Sequence, residues 1–204
     1  MTSHGLDEAV TECDAGALGD EGAEQAVEEI ELIDRMIGQF LRYVRAGYQE
    51  QPTRVRPDDI VRASLAPYLA EDTLQLELNA PEPCWIAADS LRHIVVNLVQ
   101  NAREYGRPPI QVRTGLSSGQ LQIAVADAGP GLSPAEWQEA VRPFQRGCGT
   151  PGTEHSGLGL ALVERLVRVC KGSLTSRQTG AGFVVEACVI CREEWPMRSA
   201  ENGP

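Results

Sequence analysis

From Asp20 to about Gly47, apolar residues recur at three- and four-residue steps: Ala23, Val27, Ile30, Ile33, Ile37, Phe40, Leu41 and Val44. That spacing lays one stripe along a helix of about seven turns. Acidic residues crowd its first turns, and Arg42 and Arg45 stand near its end, as the helix dipole favours. Residues 1–19 lack a sustained period and read as a disordered tail. Residues 48–57 form a linker with a short extended piece. The pattern then shortens. "DDIVRASLAPYL" predicts a helix capped by Asp58, "LQLELN" alternates as a strand, and "CWIAAD" reads as another. Asp89 caps a strong helix over residues 90–105, with Leu91, Ile94, Val95, Leu98 and Ala102 as its core stripe. "PIQVRTG" and "LQIAVADAG" pair about a Gly-Gln turn, and "PAEWQEAV" is a short helix. Residues 142–156 hold glycines and prolines with few apolar anchors, so little burial opposes their chain entropy and a mobile loop is expected. "GLGLALVERLVRVC" forms a helix, "SLTSRQ" and "GFVVEACVI" close as strands, and residues 191–204 read as a flexible tail. This order predicts an α+β two-layer sandwich over residues 53–190. Helices lie on one face of a mixed sheet, and the long helix of residues 20–48 precedes it.

Composition adds two constraints. The 204 residues carry a net charge of −11, but eleven acids and no Lys or Arg fall within residues 1–34. The remainder is neutral, with eighteen acids against eighteen basic residues. No basic patch marks a nucleic-acid surface, so nucleic acid is not expected as a partner. No apolar run approaches the roughly 18 residues of a membrane span, and no signal peptide is readable, which points to a cytoplasmic setting. In that setting Cys13, Cys84, Cys148, Cys170, Cys188 and Cys191 are expected as free thiols. Cys188 and Cys191 form a C-x-x-C without a second pair to complete a zinc site.

Candidate chemistry clusters in the second half. Asn97 and Asn101 lie four apart on one helix face, where two carboxamide oxygens suit a hard cation such as magnesium. Alone, the pair reads as two solvated surface amides. Asp127-Ala128-Gly129-Pro130-Gly131 follows a strand directly. A carboxylate there accepts from an exocyclic amine such as adenine's, and the glycines let a ring approach the backbone. Gly157-Leu158-Gly159-Leu160 enters a helix, whose first N–H groups favour phosphate. Each glycine motif alone reads as a turn.

The ordered set NLVQNAREY, DAGPG, RPFQRG and GLGLALV resembles the ATP-binding domain of sensor histidine kinases, in the superfamily shared with gyrase, Hsp90 and MutL. "IGQFLRYVRAG" also resembles the end of the second dimerisation helix in EnvZ-type osmosensor kinases. The resemblance spans residues 20 to about 190 and implies the histidine kinase/Hsp90-like ATPase fold. It implies that Asn97 and Asn101 hold magnesium and phosphates, that Tyr105 lines the nucleotide pocket, and that Asp127 binds the adenine amine. Gly129 and Gly131 then shape the pocket, Phe144 and Arg146 belong to a lid, and Gly157, Leu158, Gly159 and Leu160 cradle phosphates. ATP and Mg2+ are the implied cofactors. A histidine-bearing hairpin or kinase subunit, a response regulator and a weak homodimer are the implied partners.

Asn97 also bears on the reaction. Hydrolytic members of the superfamily carry a Glu there; an amide cannot take a proton from water. The reading is therefore phosphotransfer. The phospho-accepting histidine has no counterpart in the chain. His4 lacks the surrounding motif, His93 is a pocket-side or surface residue, and His155 lies in the loop. Glu104 stands where the family often has a cation, with Arg103 or Arg146 available to compensate. The expectation is a catalytic domain that cannot phosphorylate itself in cis. The alternative is a nucleotide-binding interaction module without catalysis.

Overall fold

In a computed structural model of the chain, residues 50–70, 73–143 and 157–192 are described, together with seven helical positions between 27 and 44. Expectations for residues 1–19, the loop from Phe144 to Ser156, and the tail beyond Arg192 lie outside the described residues. Two units separate by packing, Met1–Ile37 and Gly38–Pro204. In the first, Val27, Ile30 and Ile37 are helical and exposed; in the second, so are Phe40, Leu41 and Val44.

The second unit holds a five-stranded sheet in the order β2-β4-β5-β7-β6. These strands are β2 (Leu74–Glu77), β4 (Ile110–Ser117), β5 (Gln120–Asp127), β6 (Ser173–Thr179) and β7 (Gly182–Ile190). β2 runs parallel to β4 and the other pairs are antiparallel, which makes the sheet mixed. A separate ribbon pairs β1 (Thr53–Val55) with β3 (Cys84–Ile86). Helices α1 (Pro57–Leu65), α2 (Ala88–Tyr105) and α4 (Gly159–Val169) pack together over one sheet face, and α3 (Pro134–Ala140) is a short further helix. Period-two alternation explains the layer. Ile110, Val112, Leu121, Ile123, Val125, Ala187 and Val189 point inward and are buried, against Leu91, Ile94, Val95 and Leu98 of α2. Each of the Ile, Leu and Val side chains contributes about 1.5–3 kcal/mol on burial.

Several local expectations are corrected. Asp58 does not cap α1, which follows Arg56 and begins at Pro57. Its buried carboxylate accepts from the Ala80 N–H at 2.9 Å and the Thr114 hydroxyl at 2.6 Å, tying α1 to the approach of β3 and to β4. Asp89 does not cap α2 either. Glu50 does so from the linker: its carboxylate accepts from Asp89 N (2.8 Å), Ser90 N (2.9 Å) and Ser90 Oγ (2.9 Å). The strand expected over residues 84–89 ends at Ile86, because α2 starts at Ala88. The β4–β5 turn is Ser118-Gly119, both at positive φ, with Ser117 facing Gln120. That is the two-residue hairpin whose twist matches the strands, and the Gly-Gln expectation was one residue late.

The cysteines differ as well. Cys84 and Cys191 are joined in a disulfide 107 residues apart in sequence, while Cys170 and Cys188 are free. The two members of the C-x-x-C thus take different roles. Cys191 is buried, and Arg192 bridges to Trp85, so the fold continues through residue 192. No helix among the described residues is long and apolar enough to cross a membrane.

Candidate functional site

A cavity of about 140 Å³ opens among α2, β5, β7 and the turn after β5. It is smaller than the roughly 300–1,000 Å³ of a drug-sized pocket and has room for a ring. Asn101, Tyr105 and Gly106 reach it from α2 and its end, Asp127 from β5, and Phe183 from β7. Gly131, Gly157 and Leu160 complete the rim.

Asp127 is the last residue of β5, and its position is fixed from several sides. Its Oδ1 accepts from the Gly129 N–H at 2.7 Å, closing a tight turn. The Ala128 N–H donates to the Arg107 carbonyl at 2.8 Å, which holds that turn against the segment leaving α2. Glycine is needed around the carboxylate for space. A Cβ on Gly129 would stand 2.6 Å from Asp127 Oδ1, and one on Gly106 would collide with the carboxyl carbon. Gly131 has φ +68°, and a Cβ there would run into the Phe183 ring. Burial holds the Asp127 carboxyl above its ordinary value, against the N–H groups of Gly129 and Arg107, which favour its ionised form. An acceptor that water solvates poorly is suited to an amine donor.

The asparagine pair lies on the side of the site facing α4. Asn97 is buried, and its Nδ2 donates to the His93 carbonyl at 2.7 Å. That bond turns its Oδ1 the other way. The Asn97 and Asn101 Oδ1 atoms lie 3.5 and 3.1 Å from where a Cβ on Gly159 would sit. Both amide oxygens therefore converge on the first residue of α4, where a Cβ would sit tightly against Asn101 Oδ1 and in ordinary contact with Asn97 Oδ1. Asn101 Nδ2 is buried and has no hydrogen-bond partner. A buried amide left unsatisfied costs about 1–3 kcal/mol, so the site is built for a polar ligand. Leu158, the N-cap of α4, has no side chain that can cap it, so the first-turn N–H groups there have no capping bond from that residue. Two amide oxygens beside a helix start fit magnesium carrying phosphate and water as its remaining ligands.

The remaining sequence candidates sort as follows. Tyr105 lines the cavity and is exposed. Leu158 is fully buried, so its side chain faces the interior and only its backbone can serve a ligand. Gly129 acts through Asp127, and Phe144 and Arg146 lie outside the described residues. Arg103 sits over the Tyr68 ring at 4.9 Å, beside α2. Three residues absent from the sequence expectations belong to the arrangement: Gly106, Phe183 and Glu50. A glycine after a helix reads as a cap, and the alignment of Phe183 with Asp127 follows only from strand register.

Residues 86–192 match the family described as histidine kinase-, DNA gyrase B-, and HSP90-like ATPase. The chain is similar to the probable sensor histidine kinase TcrY of Mycobacterium tuberculosis, 31% identical across 86% of this chain and 39% of that protein. It is also similar to the adaptive-response sensory kinase SasA of Synechococcus sp., 28% identical across 74% of this chain and 43% of that one. The chain thus spans less than half the length of these curated relatives. Among solved structures, the Acinetobacter baumannii histidine kinase AdeS superposes with a TM-score of 0.69 at 16% identity, over 84% of both chains. The histidine kinase domain of the Escherichia coli osmosensor EnvZ gives 0.54 at 24%, over 77% of this chain and 99% of that one. At these identities the structural likeness speaks to the fold alone, an α+β sandwich with a mixed sheet. The sequence match and the fold agree: this chain belongs to the histidine kinase-, DNA gyrase B- and HSP90-like ATPase family and carries the ATP-binding catalytic domain of the sensor histidine kinase kind.

Proposed function

We propose that the domain binds ATP with magnesium and passes the γ-phosphate to a histidine on a helical hairpin, carried by a longer form of this polypeptide or by a second chain. One observation carries the reading: a desolvated Asp127 carboxylate in a ring-sized cavity, next to two amide oxygens converging on a helix start. Asp127 accepts from the exocyclic amine of adenine, while Gly106, Gly129 and Gly131 bring the backbone close to the ring. Tyr105 closes the exposed side. Asn97 and Asn101 hold magnesium, which neutralises phosphate charge when bound. The N–H groups at Gly159 and Leu160 donate to phosphate oxygens.

The histidine nitrogen attacks γ-phosphorus in line, the bond to the β–γ bridging oxygen breaks, and ADP leaves with that electron pair. Neither Asn97 nor Asn101 can take a proton from water, which disfavours hydrolysis. A response regulator is the next acceptor. The domain works in the cytoplasm, and the exposed apolar side chains of Val27, Ile30 and Ile37 in one unit and of Phe40, Leu41 and Val44 in the other support weak self-association.

Calorimetry with Mg-ATP, followed by incubation with labelled ATP and an isolated histidine-bearing hairpin, tests this. Binding and acid-labile label on the hairpin are expected. No binding at millimolar ATP overturns the reading. Binding without transfer to any histidine hairpin leaves a nucleotide-binding module and overturns the catalytic half.

A further inference from the structure

Phe183 pairs with Asp127 across the β5–β7 ladder. Directly paired residues of antiparallel strands project to one face, with Cβ atoms about 4.5–5.5 Å apart. The ring therefore stands beside the Asp127 carboxylate at the same end of the cavity, and it lines that cavity. It is also braced. Trp137 of α3 meets it edge-on, with ring centroids 6.3 Å apart at 64°. On another side it fills the space that a Cβ at Gly131 would need. Across the carboxylate, Gly106 and Gly129 approach so closely that neither admits a Cβ. The acceptor end of the cavity is thus bounded by backbone on one side and by a supported aromatic ring on the other. Phe183 is only 6% exposed, so little slack remains there.

We infer that Phe183 is a specificity-determining residue, restricting the bound base to one whose exocyclic amine is unsubstituted. The inference rests on the ATP reading of the same site. An amine that donates one hydrogen to Asp127 carries its second substituent into this walled end. A hydrogen fits; an alkyl or benzyl group has to displace a ring that Trp137 holds in place, and forcing extra volume into a packed wall is unfavourable. Removing the ring converts the wall into space without touching the acceptor.

The test compares Mg-ATP with Mg-N6-benzyl-ATP on the full chain by calorimetry, for the unaltered protein, Phe183→Ala and Phe183→Leu. The unaltered protein should prefer ATP by on the order of a hundredfold, as hydrophobic pocket discrimination allows. Phe183→Ala should narrow that preference by at least about tenfold, with Phe183→Leu between them. Thermal melts show which variants are folded, and either folded variant decides the outcome. An unaltered protein that binds both nucleotides equally overturns the assignment, as does a folded variant with an unchanged ratio. Absence of ATP binding by the unaltered protein is a different failure, because it removes the nucleotide reading itself.

Discussion

In the proposed reading Asp127 binds the base, and its burial carries a cost to the fold. Burial raises its pKa, so the ionised form is disfavoured in the folded chain relative to the unfolded one. The sign follows: above the raised value the charge lowers stability, and that cost fades as pH falls through it. Nucleotide affinity runs the other way, because the acceptor is lost on protonation. ATP affinity should therefore weaken on acidification sooner than it would with an unperturbed aspartate. Asp127→Asn should weaken ATP binding at least about tenfold at pH 7 while leaving the melting temperature unchanged or higher. Calorimetry and thermal melts measured together check this; a less stable variant with full affinity contradicts it. The motif around Asp127 reads alone as a turn, and only the ordered set of motifs singled it out; the structure places Asp127 and Gly131 at one cavity. Phe183 was not legible, because one more apolar residue in "GFVVEACVI" looks like core until register sets it beside Asp127.

α2 shows why element boundaries were read less well than the elements themselves. Its apolar spacing announced the helix and its buried stripe, and Leu91, Ile94, Val95, Leu98 and Ala102 are all buried. Its start was assigned to Asp89 by a local capping rule. The acceptor is instead Glu50, 39 and 40 residues from the N–H groups it receives, and sequence proximity cannot report such a partner. Asp58 fails the same rule for the same reason, since its bonds go to Ala80 and Thr114. Glu50→Ala should therefore uncap α2 and cost about 1 kcal/mol. Hydrogen exchange at Asp89 and Ser90 should rise more than at the α4 amides, and Mg-ATP affinity should fall through the looser helix that carries Asn97 and Asn101. Equal exchange in both helices would show that Glu50 does not anchor this end.

For the whole molecule, the order β2-β4-β5-β7-β6 places β5 at the centre with β7 beside it, so the acceptor and the ring next to it both sit on interior strands. Alternation and turn signals suggested a mixed sheet with helices on one face, but they gave no sign that Cys84 and Cys191 are covalently joined. That bond closes a loop of about a hundred residues around nearly the whole family match. Its removal should cost about 2–4 kcal/mol. Reductant should lower the melting temperature of the unaltered chain and leave Cys84→Ser unaffected; equal response of both would deny the bond a stabilising role. Cys170 and Cys188 are poor replacements, since burial and nearby carboxylates push both thiols up and keep them protonated. The Glu50 contact has one more consequence, for anyone who would graft this domain onto a sensor. A splice made at Thr53, where the first strand begins, discards the anchor of α2, whereas one made ahead of residue 50 carries the anchor along. Chimaeras that differ by those few residues should differ in their response to ATP although every strand of the domain is intact.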